Sequence, residues 1–210
     1  MRNTVLLLLL MIFVAFYFTR QFYKYNKAHP KSSYQDTYSR EGVVRCGEER
    51  WEVKTLSDSD EGDINFDDVV HTTVSRQVHM QRPEGRFNDR QASEDTEYVF
   101  RAYVKGYKKE KDQDIHIVIA DIETNETMVA EIANPECETV KESKRYDEMK
   151  AAHNWFIANI GKPHNSFRYL EDPPMVTIKG IGFWDFLHGQ KGMAHNGREI
   201  HPVLSMVFAK

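Results

Sequence analysis

Cysteine is scarce, with only Cys46 and Cys137 in 210 residues. That excludes a disulfide-dense mini-scaffold and a four-cysteine zinc site. Positive charge is also short beyond the amino terminus. Residues 1–31 hold five bases (Arg2, Arg20, Lys24, Lys27, Lys31) and no acid, which leaves 23 of the 28 bases to face all 32 acids. So acidic a body lacks the clustered lysine and arginine that bind phosphate backbones, and nucleic acid is not expected as a partner. Several motifs are missing as well. No G-x-S-x-G nucleophile elbow occurs. Gly180-x-Gly182 lacks the third glycine and the following helix of a dinucleotide fingerprint, and reads instead as a bulge or a tight bend. Asp58, Asp60 and Asp63 hint at a calcium loop, but the sixth and twelfth positions counted from Asp58 are Asp63 and Val69, where glycine and glutamate are required.

What is present begins with one apolar run. Val5 to Phe18 is unbroken, and Asn3 to Thr19 carries no charge. The run is close to the lower limit of about 17 residues for a spanning helix. No A-x-A-like cleavage site follows it. Phe16, Tyr17, Phe18, Phe22, Tyr23 and Tyr25 crowd its exit, as aromatic residues do at a membrane interface. The reading is an uncleaved signal-anchor; a cleaved secretory signal and a buried core helix are the alternatives. The bases after the run outnumber those before it, which by charge alone would leave the body in the cytoplasm. The cysteines argue the other way, because a lone, widely spaced pair suits one disulfide in an oxidising compartment. Two buried thiols would be the alternative. The expected placement is a membrane-anchored body outside the cytoplasm, in a periplasm or at a cell surface.

The body divides by composition. Residues 1–20 form the anchor, 21–42 a polar tether, 43–96 an extension with an edge strand and a long loop, and 97–210 a barrel. Trp51 to Thr55 reads as a short strand, and Gln77 to Asp95 as a loop. Phe100, Ala102 and Val104 alternate with Arg101, Tyr103 and Lys105, which is a period of two. Ile115, Ile117 and Ile119 alternate next, and Asn125 marks a hairpin before Met128, Ala130 and Ile132. The period then changes. Tyr146, Met149, His153, Phe156, Ile157 and Ile160 follow helical spacing, with Ser143 as a cap and Gly161 and Pro163 as the stop. Val176 and Ile178 begin a fourth strand. Ile200, Pro202, Leu204, Met206 and Phe208 alternate in a fifth. The expected class is mainly β (α+β): an OB-fold-like five-stranded barrel with one helix between strands three and four.

Three stretches carry a resemblance. They are Cys46-Gly-Glu-Glu-Arg-Trp-Glu-Val-Lys-Thr55, Tyr107-Lys-Lys-Glu-Lys-Asp-Gln-Asp-Ile-His-Ile-Val-Ile-Ala-Asp121, and Gly182-Phe-Trp-Asp-Phe-Leu-His-Gly-Gln190 continuing to Asn196-Gly-Arg-Glu-Ile-His-Pro-Val203. Together they resemble a family of secreted or envelope-anchored bacterial proteins over about residues 45–207. The resemblance implies export and a cysteine pair held in common. It implies no reaction. His195 and Ile200 depart from the family pattern, which has proline and leucine there.

Chemistry concentrates near the end of the chain. Asp185, His188, Gln190, Asn196, Glu199 and His201 fall on the loop before the last strand and on its first residues. Loops at a barrel mouth are where OB-like folds bind. His188, Glu199 and His201 make a two-imidazole, one-carboxylate set that could hold a divalent metal such as zinc, with Asp185 as base or orienting group. The spacing matches no standard zinc motif. The competing reading is a hydrogen-bond network that closes a long loop. Gln190 and Asn196 are binding candidates, as are Arg101 and Tyr103, which with Lys105 and Tyr107 are placed on the outward face of the first barrel strand. His116 is expected to point away from the Ile115/Ile117/Ile119 face and to be exposed. Two functions follow. One is a membrane-tethered extracytoplasmic binding or structural module for an unknown envelope ligand or protein. The other is a metal-dependent hydrolase of phosphodiester or glycan bonds.

Overall fold

The computed structural model describes residues 46–47, 49–85 and 88–209. The expected anchor and tether lie outside the described residues. Among the described residues no helix is long and apolar enough to cross a membrane.

The barrel is made of β2 (Thr96–Lys109), β3 (Ile115–Ala120), β4 (Thr127–Ile132), β6 (Met175–Trp184) and β7 (Arg198–Phe208). Its strand order is β2-β3-β4-β7-β6, closed by β6 pairing back onto β2. Only β4 and β7 run parallel within this ring, with Val129 opposite Glu199 and Ala130 opposite Ile200. The mainly β class and the five-stranded OB-like barrel are therefore present. The interior is the face that the alternation marked: Ile115, Ile117, Ile119, Met128, Ala130, Ile132 and Ile200 have no solvent exposure. Helix α4 (Tyr146–Asn159) lies between β4 and β6 in the chain and adds Ala152 and Phe156 to the same cluster. Ser143 stands near its start, where its Oγ accepts the Arg145 N–H at 3.2 Å.

Strand β2 serves two neighbours. Its first half pairs with β6 and its second with β3. A bulge between Val104 and Gly106 lets it bend. The extra residue reverses the alternation, so Tyr107, expected outward, is fully buried against Phe156. A second irregularity lies where β6 meets β7. Gly180 pairs with Val203 and Gly182 with Ile200, two residues against three. The interior therefore receives Ile200, Val203 and Met206, not the strict alternation expected from Ile200 to Phe208. Leu204 turns to a second cluster and Phe208 is half exposed.

The extension differs most from expectation. Trp51–Thr55 is not a strand but one helical turn, α1, with Trp51, Val53, Lys54 and Thr55 buried. Five residues are too few for a helical period to be told from an alternating one. The edge strand comes later, as β1 (Asn65–His71), parallel to β2. Helix α2 (Val74–Val78) follows, with the Thr73 side chain accepting the Arg76 N–H. A short helix, α3 (Glu138–Glu142), follows β4, and a two-residue strand, β5 (Arg168–Tyr169), adds to β2.

The extension packs on the outside of the barrel. Trp51, Leu56 and Ile64 join Ala133, Val140, Ile181 and Leu204 in the second cluster. Within it, Cys46 and Cys137 form a disulfide with Cα atoms 5.9 Å apart. Arg50 adds a buried ion pair to Glu94 at 2.6 Å and a bond to the Trp184 carbonyl at 3.0 Å. Arg198 fastens the next stretch. Fully buried, it donates to Gln77 Oε1 at 2.8 Å and to the Ser93 carbonyl at 2.9 Å. Gly182 leaves the room for it, since a Cβ there would collide with the guanidinium.

Candidate functional site

Strand alternation puts a second set of residues on the outer face of the same wall. Because Ile115, Ile117 and Ile119 face inward, His116 and Val118 face outward. By the same rule Val129 and Glu131 of β4 and Glu199 and His201 of β7 lie on the outer face. The register brings His116 opposite Glu131. In most barrels such a face is solvated. Here α1 roofs it, and the loop between β6 and β7 folds back over it. A Cβ at Gly192 would strike the Val118 side chain. The expectation that His116 is exposed is therefore corrected: it has no solvent exposure, and this loop lies against it, with the Lys191 carbonyl oxygen 2.9 Å from its Nε2. The polar residues meet under a roof on the barrel's outer wall.

The loop residues arrange themselves as follows. His188 Nε2 is 2.8 Å from Asp185 Oδ2. Gln190 Nε2 donates to Glu199 Oε1 at 2.7 Å and to Asp185 Oδ2 at 3.3 Å. Asn196 is occupied structurally: its amide donates to the carbonyls of Gln77 and Met80, both at 3.0 Å, and its Oδ1 accepts the Arg198 N–H. The ring nitrogens of His201 stand 3.1 Å from Glu131 Oε2 and 3.3 Å from Asp114 Oδ2. His188, Glu199 and His201 thus turn to three different sets of partners. Among the described residues, two other groups bring three ligand atoms within 4.8 Å of one another: Glu110 with His116 and Glu131, and Asp114 with Glu131 and His201. Arg101 and Tyr103 stand exposed on β2.

A cavity of about 230 Å³ opens between roof and wall. Glu110, Asp112, Glu131 and Asp185 line it together with Lys54 and Gln190, and every lining residue is ionisable or an amide. Arg101 and Tyr103 are not among them.

No family model, curated protein or solved structure matches the chain.

The electrostatics of the cavity are those of crowded acid. Burial, with Asp114 and Glu131 nearby, pushes the Asp112 carboxyl up to about 7. Burial, Asp185 and Glu131 raise Glu199 well above the usual carboxylate range. Burial also raises Asp114, against the opposing contact with His201. Glu131 goes the other way: burial opposes its charge, but His116 and His201 hold it well below the usual range. Burial would likewise lower Lys54 and His201. The carboxylates of Glu131, Asp185 and Glu199 outweigh it at Lys54, and contacts with Asp114 and Glu131 outweigh it at His201, so both are raised. The compartment thus holds its cations tightly and keeps some of its acids protonated. Lys54, Glu110, Asp112 and Glu131 were not singled out as site residues in the sequence. A signal for Glu131 exists: a single acid at an outward position of the otherwise apolar Met128–Ile132 segment, beside a strand whose own outward position carries His116.

Proposed function

We propose that the protein is a membrane-tethered extracytoplasmic binding module, and that the roofed cavity takes a small, polar, cation-bearing ligand. The observation that carries this reading is the cavity's lining. Small-molecule sites are mostly apolar and span about 300–1,000 Å³. This cavity, at about 230 Å³, is smaller and, among the described residues, has no apolar lining residue. Its carboxylates outnumber its cations, so an ammonium-bearing, hydrogen-bonding molecule complements it better than an anion or a lipid chain does. The apolar run 5–18 with its aromatic exit supports the tether. The disulfide supports an oxidising compartment, as does the family resemblance of its flanking motif.

The test is a titration of the full chain in detergent micelles with glucosamine and, separately, with uncharged glucose, followed by side-chain NMR of His188 and Gln190. Saturable shifts with glucosamine alone, abolished in Asp185→Asn, are the expected result. Equal response to both sugars, or none to either, overturns the reading. The hydrolase alternative built on His188, Glu199 and His201 draws no support from where those three side chains point.

A further inference from the structure

We propose that Glu110, His116 and Glu131 form a site for one divalent transition-metal ion, such as zinc, on the inner wall of this cavity. The inference starts from the convergence of one donor atom from each of these three side chains within 4.8 Å of one another. His116 has no solvent exposure. Its Nε2 lies 2.9 Å from the Lys191 carbonyl oxygen. A carbonyl only accepts, so Nε2 carries the proton. Its Nδ1 faces Glu131 Oε1 at 3.1 Å and Glu110 Oε1 at 3.4 Å, two oxygens that are acceptors themselves. With a proton on it, Nδ1 donates to Glu131; without one, three lone pairs converge, and they repel one another unless a cation stands among them.

A proton on Nδ1 or a metal ion could be that cation, and the geometry favours the metal. Donors bonded at about 2.0–2.2 Å to one tetrahedral centre stand about 3.3–3.6 Å apart, against 3.1 and 3.4 Å from Nδ1 to the two oxygens. A proton on Nδ1 would point along one direction and serve one oxygen well. Glu110 Oε1 is buried and, among the described residues, accepts no aligned hydrogen bond, while Lys108 Nζ forms an ion pair with it at 2.7 Å. A metal would use that oxygen. The bond from Nε2 to a backbone carbonyl is the outer-shell contact that orients metal-binding histidines. Glu110 and Glu131 also line the cavity, so the fourth position faces space that water can fill. One imidazole with two carboxylates suits zinc or manganese better than the oxygen-only sites of calcium and magnesium. Lys108 would yield its place, being a quarter exposed and able to swing into solvent. The metal would share Glu110 and Glu131 with the cavity of the ligand reading above, but metal uptake and sugar binding are separate measurements, so the failure of one is distinguishable from the failure of the other.

The test uses the full chain in micelles, stripped with chelator and titrated with zinc chloride against a chromophoric competitor. The expected result is one zinc per chain. Binding weakens by at least about 100-fold in Glu110→Gln and His116→Gln, beyond what outer-shell losses cost. It tightens several-fold in Lys108→Ala, which removes the competing ammonium. Circular dichroism confirms folding, and Glu110→Gln, at a partly exposed position, keeps the test valid if His116→Gln misfolds. Nitrogen NMR of the His116 ring gives a second readout, with Nδ1 shifting on zinc addition and Nε2 unchanged. No uptake by folded wild-type protein, a doubly protonated His116 ring that zinc leaves untouched, or equal uptake by wild type and Glu110→Gln would each overturn the proposal.

Discussion

The two faces of one barrel wall are built by different rules. Inward from β3 and β4 stand Ile115, Ile117, Ile119, Met128, Ala130 and Ile132, all without exposure. Burying each large aliphatic side chain stabilises the fold by about 1.5–3 kcal/mol, and no charge has to be desolvated. Outward from the same strands stand His116 and Glu131, equally hidden but ionisable. Their burial costs desolvation free energy that pairing only partly offsets. A wall that stabilises from one side can carry a destabilising cluster on the other, and such stored cost is common at binding sites. The extension makes this arrangement possible, because without α1 the outer face would be a solvated surface.

The sharpest way to break this contrast is to remove the cluster's buried ammonium. Lys54→Met removes the buried ammonium that faces Glu131, Asp185 and Glu199. Urea unfolding at pH 7 is expected to show a loss of about 3–5 kcal/mol, the range for an uncompensated buried charge. Next in size is the clip that holds the roof. Replacing both Cys46 and Cys137 by serine should cost about 2–4 kcal/mol. Far-ultraviolet circular dichroism should keep its β character, while hydrogen exchange rises in residues 46–56 before it rises in β3. Simultaneous loss of both would show that roof and barrel are one cooperative unit.

A smaller effect lies away from the cluster. Burial works against the Asp121 charge, but the N–H groups of Ser75, Thr124 and Glu123, each within 3.0 Å, hold its pKa below the usual value. A lowered folded-state pKa contributes stability that is present above the unfolded value and lost as pH falls through the folded one. Asp121→Ala should therefore cost about 1–3 kcal/mol at pH 7. Its deficit relative to wild type should shrink below about pH 4.

The barrel was legible because its interior alternates. The isoleucines of β3, the hairpin at Asn125 and the helical spacing from Tyr146 to Ile160 each state their structure within a few residues. The disulfide was legible from scarcity, since two cysteines leave a single possible pairing. Register was not, because one inserted residue at a bulge turns every later side chain over, as at Tyr107 and after Ile200. The site was half legible. Asp185, Gln190 and Glu199 do form one hydrogen-bonded set, with His188 beside them. Its other half, Lys54, Glu110, Asp112 and Glu131, comes from segments far away in the chain. Only the folding of the extension onto the wall brings them together, and no local pattern records that.

The claim that the wall stores electrostatic cost is tested most directly by the melting temperature of Glu199→Gln against wild type between pH 4 and pH 8. Glu199 keeps its proton in the fold well above the usual carboxylate range, whereas the unfolded chain releases it there. Folding must then take up a proton, so the wild-type contribution weakens as pH rises through that interval. Glutamine needs no proton, and its side-chain oxygen can still accept from Gln190. The two proteins should melt alike near pH 4, and the variant should be the more stable at pH 8, by ~1 kcal/mol or more. A variant that melts lower at pH 8, or a difference that does not change with pH, would contradict the account.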